Sequence, residues 1–285
     1  MPHPRITPDR KFRDGIAWAM LYRRRIRFDA EDSMTTPFAT FAALHVPGDP
    51  VILFNIWDAG SARAAEKAGA KAIATGSASV AMAHGLNDGQ NLPIDVALAN
   101  AREIVAAVEL PVTVDFEGGY AVDPDGVAAN IARLAETGAI GCNFEDQVVG
   151  GDGLHAIEAQ AKRIAAARAA VGADFFINAR TDIFLKAKPE THDAAMVDAA
   201  CQRAQAYAEA GASGFFVPGL RDLALLERVC RASPLPVNFM AMPGAPTAAE
   251  VARTGVARIS HGPFPYLQAM QAFEQAARAA LGATA

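Results

Sequence analysis

The chain has 285 residues, 52% of them hydrophobic and 20% charged, with a formal net charge of −5. That length suits one α/β barrel or two small domains, and the acidic balance gives no reason to expect a nucleic-acid partner. No apolar run is long enough to span a bilayer, so no membrane partner is expected either.

Charge is unevenly spread. Residues 1–33 carry 8 Lys/Arg against 5 Asp/Glu, including Arg23, Arg24 and Arg25, whereas residues 34–285 carry 18 against 26. The first stretch lacks an apolar h-region with a small-residue cleavage site and is not a secretory signal. It reads as a disordered basic extension outside the fold, with Met34 as an alternative start, and residues 34–285 as the folded domain. Cys142, Cys201 and Cys230 are an odd number without paired spacing, one in an expected strand and two in expected helices. They read as small hydrophobes in a reducing, cytoplasmic compartment.

From Pro50 onward strands and helices alternate. Strands are expected at 51–55, 72–75, 112–115, 139–144, 175–178, 214–217, 237–240 and 257–260. Helices are expected at 61–68, 97–108, 126–136, 156–171, 193–210, 223–231, 248–254 and 266–281. One junction recurs at Gly69, Gly138, Gly211 and Gly255, where a glycine closes a helix just before the next strand. Eight such alternations without a compositional break predict a single-domain (β/α)8 TIM barrel. A doubly wound open sheet is the runner-up, but Gly76-Ser77-Ala78 fails the dinucleotide glycine fingerprint.

In a barrel the chemistry collects at the C-terminal ends of the strands. The third expected strand ends in Asp115, with Glu117 two residues on, so an extended backbone directs both carboxylates to one face. Gly118 and Gly119 then break the strand. The fourth ends in Glu145 and Asp146. Acids at two neighbouring strand ends suggest oxygen ligands converging on a hard cation such as Mg²⁺. Arg180, after the fifth strand, suits an anionic substrate through its planar fork. Asp58 reads first as a helix cap, His261 and Trp57 as packing residues. Trp57, Phe116, Phe184, Pro218 and Met240 are the side chains expected to set pocket size.

Four segments resemble the isocitrate lyase/phosphoenolpyruvate mutase family: Phe54 to Ala62, Asp115 to Tyr120, Asn143 to Asp146, and Asn178 to Asp182. The likeness runs from Pro37 to about Leu281. It implies a Mg²⁺-binding barrel, with Mn²⁺ as the alternative ion, acting on a small 2-oxo acid or related carboxylate through an enolate. Asp115 would touch the metal, and Asp88, Glu117 and Glu145 would hold it through water. Ser77 and Ala78 would offer backbone N–H groups to the substrate carboxylate, and Arg180 would bind the anionic end; Trp57 and Asn238, at the ends of the first and seventh expected strands, are candidate substrate contacts by position. Arg180, Glu145 and Asp115 would carry the catalysis. The resemblance further implies a homodimer or homotetramer that exchanges its last helix.

Departures narrow the reaction. The family's lyases carry a Cys, and its mutases a Lys and an Asn, in the loop after the fourth strand. Here that loop reads Gln147-Val148-Val149-Gly150-Gly151-Asp152-Gly153. Pro218 replaces a phosphoryl-facing histidine. A carbon–carbon lyase, by decarboxylation or retro-aldol cleavage, is the first reading. A phosphonopyruvate-type mutase or hydrolase and a non-catalytic 2-oxo acid binder are the alternatives.

Overall fold

The computed structural model describes residues 36–282; the expectation for residues 1–33 lies outside them. A short helix α1 (Pro37–Ala43) leads into a two-strand hairpin, β1 (His45–Val46) with β2 (Asp49–Leu53). Thr36 starts α1, its hydroxyl accepting from Ala39 N–H at 3.1 Å, an N-cap followed by proline in the first turn. Sequence periodicity, whose first expected element is the strand at 51–55, did not predict α1 or β1.

Then come α2 (Ala59–Lys67), β3 (Ile73–Ala74), α3 (Ser77–Ala83), α4 (Ile94–Ala107), β4 (Val112–Asp115), α5 (Pro124–Ala135) and β5 (Gly141–Glu145). The second half runs α6 (Ile157–Val171), β6 (Phe176–Arg180), α7 (Ala194–Glu209), β7 (Gly214–Phe216), α8 (Leu223–Ala232), β8 (Val237–Met240), α9 (Ala248–Ala252), β9 (Arg258–Ser260) and α10 (Phe264–Leu281).

Strands β2 to β9 pair in parallel in the order β2-β9-β8-β7-β6-β5-β4-β3. A parallel bridge between Ile56 and Thr75, just beyond β2 and β3, joins the two ends of that order and closes the ring. This is the expected TIM barrel, with all eight expected strands present to within a few residues. The junction glycines Gly69, Gly138, Gly211 and Gly255 all adopt left-handed φ between 89° and 96°, the conformation that ends a helix at least cost to glycine.

The alternation of each strand sorts its side chains into two layers. Val112, Val114, Cys142, Phe144 and Ile177 face outward and pack with Leu98, Ile131, Ile164 and other helix residues into the main core. Facing inward, Val51, Leu53, Ala72, Ala74 and Phe176 form a second cluster completed by Phe41 of α1. That cluster occupies the N-terminal half of the ring and is sealed from below by α1. Above it the interior turns polar. Asn178 donates to Asn143 Oδ1 at 2.9 Å and to Asn238 Oδ1 at 3.0 Å, and the buried Arg258 donates to Asn143 Oδ1 at 3.1 Å. This ladder supports the C-terminal mouth.

Candidate active site

At the mouth, the end of β4 meets the start of α3. Asp115 Oδ2 accepts from Ser77 N–H at 3.1 Å and from the Ser77 hydroxyl at 2.9 Å. Its Oδ1 faces Asn143 Nδ2 at 3.3 Å. Sequence reading missed α3, because its run of small residues carries no strong apolar period. Both polar groups of Ser77 are thus engaged by Asp115, so of the expected pair the Ala78 N–H, in the first turn of α3 beside the cavity, is left as the backbone donor.

Glu117 does not continue the extended strand. Its φ of +48° turns the chain left-handed two residues past β4, yet Asp115 and Glu117 still face one chamber. The turn carries the Glu117 carboxylate to Gln90 N–H, which it accepts at 2.6 Å. Burial, then Asp88 and Asp115, push the Glu117 carboxyl up to about 7 against the opposing N–H groups of Gln90 and Gly89. Asp88, in the loop between α3 and α4, is raised by partial burial and by Asp115.

Glu145 and Arg180 are register partners across β5 and β6, and their side chains pair at 3.0 Å. Arg180 also grips Asp182 with two parallel bonds, Nε to Oδ1 at 2.5 Å and Nη2 to Oδ2 at 2.9 Å. Burial opposes its charge, but Glu145, Asp182 and Asp115 together hold the guanidinium firmly protonated. Burial pushes Glu145 well above the usual carboxylate range, with Arg180 pulling it back down. Asp182 is itself fixed through its backbone N–H, which donates to Asp146 Oδ1 at 3.0 Å. The fully buried Asp146 also accepts from Tyr207 Oη at 2.8 Å and from Arg203 at 3.0 Å. Asp146 and Asp182 are therefore the anchors of Arg180, a role that acidic residue type alone does not signal.

These groups open on a cavity of about 150 Å³ lined by Gly76, Ser77, Ala78, Asp88, Asp115, Asn143 and Arg180 on its polar side. Leu185, Phe216, Met240 and Pro263 form its apolar side. Ser77 and Asp115 also line a small adjoining chamber of about 20 Å³, together with Glu117 and Tyr120. Three expected contacts sit elsewhere. Trp57 lines an outer groove beside α2 and meets Tyr266 edge-on at 5.2 Å. Asn238 is buried, its amide committed to Phe239 O, Arg258 O and Ser260 Oγ. Glu145 reaches the cavity only through Arg180. Of the side chains expected to set pocket size, Met240 lines the cavity, whereas Phe116 and Phe184 are core residues. Asp58 caps α2 through Ser61 N–H at 2.7 Å.

Among the described residues, no three acidic, histidine or cysteine side chains converge closely enough to ligate one ion directly. The donor set nonetheless suits a hard divalent cation. It offers carboxylate oxygens only, and the acids raise one another's proton affinity, a tension that a bound cation relieves.

Comparisons with known proteins agree with this architecture. Residues 41–281 match the family described as phosphoenolpyruvate phosphomutase. The 2-methylisocitrate lyase of Escherichia coli is 31% identical over 72% of this chain and 70% of its own length. A crystal structure of a candidate phosphonomutase from Burkholderia cenocepacia superposes with a TM-score of 0.83 at 52% identity, covering 86% of this chain and 98% of that one. The structure of 2,3-dimethylmalate lyase superposes at 0.75 with 27% identity, covering 87% and 88%. The chain belongs to the phosphoenolpyruvate phosphomutase family, within the isocitrate lyase/phosphoenolpyruvate mutase superfamily, and is an enzyme of that lyase and mutase type.

Proposed function

We propose that the protein is a Mg²⁺-dependent carbon–carbon lyase that cleaves a small 2-oxo acid or related carboxylate through an enolate. The observation that carries this reading is the single cavity shared by Arg180 and an acidic cluster. Two of the five guanidinium N–H groups are hydrogen-bonded to Asp182 and Glu145 pairs with the charge from the Nη1 side, leaving N–H groups on both terminal nitrogens for a substrate carboxylate. Asp115 would hold the cation directly, with Asp88, Glu117 and Glu145 acting through water. When bound, the cation would polarise the 2-oxo group and stabilise the developing enolate.

The chain's own residues do the rest. Arg180 binds and orients the anionic end, and its fixed charge faces the carbon skeleton without rearranging during the reaction. The Ala78 N–H, at the start of α3, is a second donor for the substrate. Leu185, Phe216, Met240 and Pro263 exclude water from the apolar wall. Among the described residues, none lining the cavity is a cysteine, lysine or histidine, which supports water at the mouth as the source of the proton that quenches the product carbon. That favours decarboxylation or retro-aldol release over a thiol-assisted step.

The test is direct. The protein is incubated with Mg²⁺ and, separately, oxaloacetate, 2-methylisocitrate or phosphonopyruvate, and pyruvate is followed. Turnover of a 2-oxo acid or tricarboxylate that EDTA abolishes, and that Asp115→Ala lacks, supports the lyase. Pyruvate from phosphonopyruvate alone replaces it with the phosphonate reading, and pyruvate from none of the three refutes it.

The same proposal extends to assembly. Helix α10 buries only Pro265 and exposes Leu267, Met270, Phe273 and Leu281. At about 100° per residue these four share roughly a third of the helix circumference. An apolar groove lined by Phe54, Trp57, Ala64 and Ala68 opens beside it. Exchange of α10 between two copies would cover both surfaces. Phe273→Glu should then shift the protein to a smaller species on size exclusion with unchanged helicity; an unshifted elution volume would remove the exchange.

A further inference from the structure

We infer that Gln90 is a positioning residue, a clasp that pins the loop between α3 and α4 onto the turn after β4 and so sets where Asp88 and Glu117 stand. The inference rests on the metal-site reading above for its functional consequence, but its geometry is independent of that reading. Two segments interlock by exchanging hydrogen bonds. The Glu117 carboxylate accepts the Gln90 backbone N–H at 2.6 Å. In return, the Gln90 side-chain oxygen accepts from Gly118 N–H at 3.0 Å and from Tyr120 N–H at 3.1 Å. The opposite amide orientation would set its NH2 group against those two donors.

Backbone strain marks the same place. Among the described residues only Gln90, Glu117 and Tyr120 are non-glycine residues with left-handed φ, at 58°, 48° and 54°. Each costs of order 1 kcal/mol and persists only where the surroundings over-determine it. All three meet at this contact. Gly118 has no room for a side chain, since a Cβ would lie 2.9 Å from the Gln90 amide and 3.1 Å from Val149 Cγ2. The turn is also held from behind by Arg163, which donates to Gly118 O at 2.5 Å and Ala121 O at 3.0 Å.

The consequence runs two residues upstream. Asn91 donates to Asp88 O at 2.8 Å, so Asp88, Gln90 and Asn91 form one short rigid hook. Freed from Gly118 and Tyr120, that hook no longer fixes Asp88 at the cavity. The loop then gains freedom that cation binding has to remove.

Gln90→Ala and Gln90→Gly in the full chain test this. Both remove the accepting oxygen, and glycine additionally tolerates the left-handed backbone, so agreement between them assigns the effect to the side chain. Amide exchange at Gly118 and Tyr120 should accelerate about tenfold or more, the equivalent of losing one ordinary hydrogen bond. Exchange at Ile140 and Phe176, whose N–H groups bond within the barrel, should not change. Mg²⁺ affinity by calorimetry should fall roughly tenfold at unchanged melting temperature, the low end of the range for residues that orient ligands. Unchanged exchange at Gly118 and Tyr120 removes the clasp. Faster exchange with unchanged Mg²⁺ affinity leaves a structural contact and overturns the positioning role. A wild-type protein that binds no Mg²⁺ sinks the metal reading and the positioning role with it, while the exchange rates still decide whether the clasp exists.

Discussion

At the N-terminal mouth, the ring of Phe41 enters the barrel and packs edge-on against Phe176 at 5.2 Å, with Val51, Leu53, Ala72 and Ala74 around it. His45 stacks on Phe176 at 4.4 Å, and burial with the nearby Arg258 charge pushes its pKa down to about 3, so the imidazole stays neutral. At the C-terminal mouth the same barrel gathers Asp88, Asp115, Glu117 and Glu145 near Arg180, with Glu117 itself and its neighbours Gln90 and Tyr120 left-handed. One end buries apolar area at about 25 cal/mol per Å² and stabilises. The other concentrates like charge and strain, both of which cost stability, as sites of chemistry do. Arg258 marks the border: fully buried, with its pKa pushed down to about 9 by that burial, and joined to the upper ladder through Asn143.

The sharpest way to break this contrast is to cut one group at each end. Asp115→Ala should remove activity by several orders of magnitude and weaken Mg²⁺ binding more than about 100-fold, beyond what an outer ligand contributes. Its melting temperature should hold or rise, because a crowded carboxylate is gone. Phe41→Ala should do the reverse. Emptying that plug costs about 3–5 kcal/mol, a fall of roughly 10 °C on thermal melting, while kcat of the folded fraction stays put. Loss of activity in Phe41→Ala at a temperature where the protein is folded would show that the two ends are coupled.

Much of this arrangement was legible beforehand, and the failures share a cause. Apolar runs entered through Pro111 or closed by glycine announced the strands, and Asp115, Glu145 and Arg180 announced their C-terminal ends. Periodicity specifies which residues sit at a strand end, but not where the chain turns next. Hence the left-handed φ of Glu117, which seats its carboxylate against Gln90 N–H, has no signal in the sequence. The strand-end position of Asn238 suggests a substrate contact, yet its amide is absorbed by the barrel ladder. Trp57 follows β2 closely, but the bridge at Ile56 closes the ring first and leaves it outside the cavity. The helix α3 has too few large apolar residues to show a period. Gln90 has no pattern at all, since a glutamine that bonds only backbone looks like any polar loop residue.

The electrostatic side of the contrast can be read against pH. Glu117 has a folded pKa of about 7 against an ordinary 4.5, so the unfolded chain ionises first. Its stabilising contribution is therefore complete below about pH 4.5 and is lost as pH rises through about 7, an effect of up to about 3 kcal/mol. Asp88 and Glu145, also raised, act in the same direction. In EDTA the melting temperature should fall between pH 5 and 8. Added Mg²⁺ should raise it more at pH 8 than at pH 5.5, because the cation meets ionised acids there. Glu117→Gln should flatten the EDTA profile; a profile that kept its slope would assign the effect to another group.

The smallest expected change is the most discriminating, because Arg180 belongs to both sides of the contrast. Its bidentate grip on Asp182 and its contact with Glu145 are structural, and its remaining N–H groups are the proposed substrate contact. Lysine keeps the charge but not the fork. Arg180→Lys should leave the buried Asp182 carboxylate incompletely paired and lower the melting temperature by a few degrees, the mark of losing about 1–2 kcal/mol in a chain of this size. Affinity for a 2-oxo acid such as oxaloacetate should fall further, by about 2–3 kcal/mol or roughly 30- to 150-fold, since one charge-assisted pair is lost in a partly dry cavity. Mg²⁺ affinity should change little, as the guanidinium is no ligand. Both quantities are measured on one sample, melting by calorimetry and ligand binding by titration below the melting range. A fall in melting temperature with undiminished ligand affinity would make Arg180 a brace for Asp182 and Glu145 alone, and the anionic end of the substrate would need another partner at that mouth.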